Sequence, residues 1–254
     1  MPQEKSNTLE SPKRMSVLIS QDGLSFYTCS NEGLDEHWEV VFENKLNPGQ
    51  ILKEIENEHE TRPALKTQIN SVSLFYHHDI FSLVPKKIFR ADHAADYLKY
   101  NARLLKTDIL SHDFINEEVL VYIAFENINN YFFEKYGSFN YFHYSSKILE
   151  QIGSKKKDNA TAVFIEKIKA QFYLTIFKDG SLQAHNLFLC ETNEDLLYYL
   201  MFSIQQNKLD PTELNLKILG SSIDDFLIEL LKIYILQVSV DKDYKNHKKQ
   251  LLCV

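Results

Sequence analysis

The sequence predicts an α/β fold made of two similar halves. Three observations carry that expectation. Strand-like and helix-like segments alternate along the whole chain. Their order runs once to about residue 152 and again from about residue 160. Gly (7) and Pro (6) are sparse in 254 residues, which leaves short connections between regular elements. With 44% hydrophobic and 25% charged residues, the chain has a globular composition and enough length for a large core.

Met15 to Ser20 is apolar and reads as a buried strand, with Gln21-Asp22-Gly23 as a turn and Leu24 to Cys29 as its hairpin partner. His37 to Glu43 closes a three-strand meander. Asn47-Pro48 opens a helix, with Asn as N-cap, Pro in the first turn, and Ile51, Leu52 and Ile55 on one face. That helix is expected to stop before Pro63. Ile69 to Tyr76 is a strand, Asp92 to Leu105 a helix, and Val119 to Phe125 a strand apolar enough to be covered on both faces. Asn127 to Tyr136 is a helix, Phe139 to Tyr144 a strand and Ser145 to Ile152 a helix. Glycine, lysines and turn formers from Gly153 to Asn159 mark the internal boundary.

Beyond it the order recurs. Ala162 to Glu166 and Gln171 to Phe177 are strands, Asp179-Gly180 is a hairpin turn, and Leu182 to Leu189 is a third strand. Thr192 caps a helix with Asp195 three residues on and Leu196, Leu197, Leu200 and Ile204 as its apolar face. Leu214 to Leu219, Ser222 to Tyr234 and Ile235 to Val240 complete a strand, a helix and a strand. The expected organisation is a disordered segment 1–14, a first half 15–152 with an insertion around 79–118, a second half 160–240, and a polar, lysine-rich tail 241–254.

A spacing of about 146 residues lays Val17 on Val163, Ile19 on Ile165, Phe26-Tyr27 on Phe172-Tyr173 and Phe42 on Phe188. One residue less sets Ile51, Leu52 and Ile55 on Leu196, Leu197 and Leu200, and Asn70 and Leu74 on Asn215 and Leu219. The repeated βββαβαβ plan is similar to the actin-like, ribonuclease H-like ATPase fold, in which two such halves flank a central cleft. Met15 to Tyr27, Asp92 to Thr107 and Tyr173 to Leu189 resemble a bacterial family called domain of unknown function 3822, which brings no assigned activity.

The fold resemblance implies ATP between the halves, its phosphates held by the turn joining the first two strands of each half. Such turns need Gly, Ser or Thr so that backbone N–H groups approach phosphate, and acids to organise Mg²⁺. Were nucleotide to bind, the resemblance points to Asp22, Gly23 and Ser25 in the first turn and to Gly220 and Ser221 at the adenosine step. The Asp-Gly pair is equally ordinary hairpin chemistry, and a serine-capped helix start equally explains Gly220-Ser221-Ser222. The second turn, Glu166 to Ala170, has no glycine and no hydroxyl. Asp179-Gly180 falls between strands two and three, the wrong turn. No catalytic residue and no resident cofactor are therefore expected. The leading expectation is a non-catalytic scaffold that docks a protein partner; the alternatives are an ATPase or phosphotransferase with divergent loops, and an RNA-associated protein.

The remaining constellations point the same way. His77-His78-Asp79 reads as a solvated loop, because a metal centre needs three or four converging ligands and nothing places His59, His93 or His112 beside it. Asp92-His93 and His112-Asp113 pair acid with base but lack a nucleophile, and no GxSxG, HExxH, Walker-type or GxGxxG pattern occurs. The aromatic run from Tyr131 to Tyr144 reads as core and wall rather than as a base-stacking platform. A net charge of -7 argues against nucleic acid. Lys242, Lys245, Lys248 and Lys249 read as solvated. Cys29, Cys190 and Cys253 form no CxxC pair and suit a reducing cytoplasm, no stretch is apolar enough to span a membrane, and the first twelve residues lack a signal-peptide core.

Overall fold

The computed structural model describes residues 12–100, 102–104, 108–155, 161–220, 223–241, 243–244, 248 and 252–253. β1 (Arg14–Ser20), β2 (Gly23–Ser30) and β3 (Gly33–Val41) form an antiparallel meander. α1 (Pro48–Thr61) carries the chain back so that β4 (Ser71–His77) lies parallel to β1. Asn47 caps α1 reciprocally with Gln50, and the helix stops at Arg62 because Pro63 cannot continue it.

An inserted unit follows: β5 (Phe81–Pro85), the short α2 (Ala94–Leu98), β6 (Asp108–Ile115) and β7 (Glu118–Phe125), paired in the order β5-β7-β6. Two sequence expectations change here. Val119 to Phe125 belongs to this inserted sheet, not to the main one, so the inserted sheet extends beyond residue 118 to Phe125. Among the described residues the expected helix from Asp92 is reduced to a 3₁₀ turn, Ala91–His93, and five α-helical residues, of which Ala94 and Leu98 are buried in a small core with Val119, Val121 and Ile123 and Tyr97 packs against it.

α3 (Glu126–Tyr136) then leads to β8 (Asn140–His143), parallel to β4, and α4 (Tyr144–Lys155). α4 runs through Gly153, past the start of the expected boundary, and residues 156–160 lie outside the described ones. The second half comprises β9 (Ala162–Ile168), β10 (Gln171–Lys178), β11 (Ser181–Leu189), α5 (Asn193–Gln206), β12 (Asn215–Leu219), α6 (Asp225–Tyr234) and β13 (Gln237–Val240).

The two five-stranded sheets have the same strand order, β3-β2-β1-β4-β8 and β11-β10-β9-β12-β13. Their meanders match at a spacing two residues longer than the apolar pattern gave. The two-residue turns Gln21-Asp22 and Lys169-Ala170 correspond, as do Asn31-Glu32 and Asp179-Gly180. One bond outside the ladders occurs twice at this offset: Phe42 N donates to Asp22 O at 3.0 Å, and Cys190 N to Ala170 O at 2.8 Å. Side chains on a strand alternate faces with a period of two, so a two-residue slip leaves every apolar residue on its own face. The hydropathy pattern is blind to that error.

One large core fills the first half and reaches the facing side of the second sheet through Phe164, Tyr173, Phe177 and Leu219; a second lies between that sheet and α5 and α6. The residues after Asp241 are not simply a polar tail. Tyr244 and Leu252 are buried in the first core, and Cys253 is disulfide-bonded to Cys29 on β2, with Cα atoms 5.9 Å apart. This corrects the expectation of reduced cysteines, since residues 224 positions apart in sequence meet in the fold. Cys190 is free and buried. Among the described residues no helix is long and apolar enough to cross a membrane.

Candidate functional site

The β1–β2 turn and the β9–β10 turn face a common cavity between the halves. Ser20, Asp22, Gly23 and Ser25 line it from the first half, Lys169 and Gln171 from the second, with His77 at the end of β4 and Lys248 completing the wall. Its volume is about 50 Å³. That accommodates a few water molecules, whereas sites for drug-sized ligands occupy roughly 300–1,000 Å³.

The first turn is closed by its own atoms. The Asp22 amide donates to Ser20 Oγ at 3.1 Å, while Leu46 N donates to Gln21 O at 2.9 Å and Phe42 N to Asp22 O. Gly23 is needed for a reason unrelated to phosphate: a Cβ there would sit 2.4 Å from the Val40 carbonyl oxygen of the neighbouring strand. In the second turn Lys169 takes a left-handed backbone with φ 53°, and Ala170 gives its carbonyl to Cys190. Gly220 is not at the cavity wall. With φ 126° it lies against the Lys167 backbone, where a Cβ would come within 2.9 Å of the carbonyl oxygen. Ser221 lies outside the described residues.

Behind the cavity lies a polar cluster that the sequence did not reveal. The Tyr144 hydroxyl donates to Glu166 Oε1 at 2.6 Å and lies 3.2 Å from the Tyr244 hydroxyl, with the Lys248 ammonium 5.4 Å from the centre of the Tyr144 ring. Burial pushes the Glu166 carboxyl up to about 7, opposed by Lys248 and by the Tyr144 bond. His77 stacks edge-on to Tyr144 and near Tyr173, and burial, reinforced by Lys248, pulls it down to about 3. Among the described residues, His77 Nε2 and Glu166 Oε2 meet no hydrogen-bond partner.

His77 and His78 are thus buried, correcting the solvated loop expected for them, and Asp79 alone is exposed. His78 Nε2 meets Ile123 O and His143 Nε2 meets His78 O, so these imidazoles tie the inserted sheet to the first-half sheet. Among the described residues no three His, Cys, Asp or Glu side chains converge as metal ligands. His112 and Asp113 do not pair: Asp113 accepts from Ser146 Oγ at 2.6 Å, from His143 N at 2.8 Å and from Tyr122 at 3.2 Å. Of the aromatic run, Phe132 and Tyr144 are core, the rest are partly buried, and only Phe133 is exposed.

A family described as "Protein of unknown function (DUF3822)" matches residues 2–238. The chain belongs to this DUF3822 family. No curated protein matches it. It is similar to a solved Bacteroides thetaiotaomicron protein with actin-like ATPase fold and unknown function, at 20% identity and TM-score 0.81, over 98% of this chain and 99% of that one. It is also similar to a chain of a PilM-PilN type IV pilus biogenesis complex, at 13% identity and TM-score 0.59, over 94% and 93% of the two chains. The fold of this DUF3822 chain is therefore the actin-like ATPase fold, with its two β-sheet halves flanking the cleft. ATP with Mg²⁺ is the group that fold implies, and the cleft residues do not fit it. The Asp22 amide is committed to Ser20, neither Lys169 nor Ala170 offers a hydroxyl or a glycine, and the space lacks a nucleotide's volume.

Proposed function

We propose that this protein is a non-catalytic actin-like scaffold that works by binding another protein. One observation carries the reading: the turn amide that would approach phosphate is occupied by the chain's own Ser20 hydroxyl, beside a cavity of about 50 Å³. Asp22, Gly23 and Ser25 then serve the hairpin, and Gly220 the approach of β12 to β9. A solved neighbour within a pilus biogenesis complex supports the use of this fold for protein assembly. No cofactor takes part.

Calorimetric titration with Mg-ATP and with Mg-ADP tests the proposal. The expected result is no heat of binding at millimolar nucleotide and no phosphate release. Micromolar binding with turnover would overturn it and assign the cleft to an ATPase or phosphotransferase whose turns rearrange.

A further inference from the structure

The outer surface of the second half carries an apolar groove that the fold does not require. Leu197, Tyr198, Met201 and Phe202 of α5 form one wall, and Leu209, Pro211 and Tyr234 contribute to the rest of a hollow of about 620 Å³. Tyr198 is 63% and Phe202 49% exposed, and their rings stack at 6.2 Å one helical turn apart. Leu236, 74% exposed, adjoins the groove because its amide donates to Pro211 O. α6 also leaves Phe226 and Ile233 exposed.

α1 holds the same place in the first half, with the same length and a capping box at the same end, and its exposed positions are polar. Packing onto the sheet therefore leaves the outer face free to be polar. A contiguous aromatic surface there answers to something outside the chain.

Charge identifies the occupant. Residues 191–236 hold eight acids against three lysines, a large part of the chain's net charge of -7. Glu194 is in the groove wall, and Asp210, Glu213 and Glu229 stand exposed on the surrounding segments. A second copy would bring the same acidic surface into contact with itself, and an anionic lipid surface would be repelled. The groove is walled by side chains of helices, which suits a helix laid in by its apolar face. We infer that the α5–α6 groove docks an amphipathic helix of a partner protein, apolar on one side and lined with Lys or Arg on the other.

This rests on the protein-binding reading and supplies its site and partner chemistry. The probe is a fluorescein-labelled 18-residue helical peptide of Leu and Lys, titrated by anisotropy against the full chain, with a Leu and Glu twin as control. The Leu-Lys peptide should bind at micromolar concentration and the twin at least tenfold more weakly. The double variant Tyr198→Ala/Phe202→Ala, which changes no charge, should lose at least tenfold. Phe133→Ala, at an exposed aromatic on the first half, should lose nothing. Circular dichroism melts of all variants should overlay, because the replaced rings are largely outside the core. Equal binding of the two peptides, or unchanged binding to the double variant, would overturn the inference. So would a dimer in sedimentation that the double variant dissolves, or flotation with anionic vesicles. None of these readouts involves nucleotide, so failure here and failure of the calorimetric test are separately visible.

Discussion

α1 and α5 begin alike and finish unlike. Each follows the third strand of its half, each is 14 residues long, and each is closed by a reciprocal cap, Asn47 with Gln50 and Thr192 with Asp195. Their inner faces agree in the first two turns, with Ile51 and Ile55 standing where Leu196 and Leu200 stand. The inner faces part in the last turns, where α1 buries Glu58 and His59 and α5 buries Ser203 and Ile204, and the outer faces differ more, with Glu54, Asn57 and Glu60 on one helix against Tyr198 and Phe202 on the other. Residues that face the sheet are constrained by packing in both halves. Those that face outward are less constrained, and there one half presents a polar coat and the other exposed aromatic rings.

Making one half imitate the other exposes which differences the fold depends on. The largest expected effect is at Gly23, whose counterpart in the second half is Gln171. Gly23→Gln should lower stability by roughly 3 kcal/mol or more, since the added Cβ meets a backbone carbonyl and not a movable side chain. The shift of the denaturant midpoint measures it. A midpoint unchanged in Gly23→Gln would show that the first hairpin relaxes as the second has.

Next comes Glu166, which occupies the place that Leu18 fills in the first half. Its carboxyl titrates at about 7 in the folded protein against an ordinary value of 4.5. Between these limits the folded state keeps a proton that the unfolded chain releases, so stability falls as pH rises from 4.5 to 7 and stays lowered above. Glu166→Gln should match the parent below pH 4.5 and melt higher at pH 8, the gap opening across that window in melting temperatures measured against pH. A gap that is constant with pH would mean that Glu166 stays ionised. The smallest effect is symmetric: Asn47→Ala and Thr192→Ala should each cost about 1 kcal/mol in chemical denaturation, because both remove an N-cap. A clear inequality would identify the half that tolerates fraying.

Where local chemistry decides structure, the sequence was sufficient. Asn47-Pro48 and Thr192 start their helices as their caps require, and Asp179-Gly180 makes its hairpin with both residues at positive φ. The repeated strand order is likewise visible in the alternation of apolar runs. What escaped depends on contacts across the fold. The two-residue slip is invisible to a period-two pattern. β7 reads as a main-sheet strand because its apolar run fits any doubly covered sheet. At the candidate site, the proximity of the two turns followed from the repeat. The polar cluster did not, because His77, Tyr144, Glu166 and Tyr244 come from four distant segments, and only their meeting shows that Glu166 is buried. Cys29 and Cys253 gave no local signal of pairing for the same reason.

The segment beyond Asp241 also joins the two halves. Tyr244 and Leu252, beyond the last strand of the second half, are buried in the first core, and burying a side chain such as Leu252 is worth roughly 1.5–3 kcal/mol. The bond between Cys29 and Cys253 ties the same segment covalently to β2 of the first half. The chain leaving β13 is thus fastened to β2, so the two halves are joined at a second place besides the connection between α4 and β9.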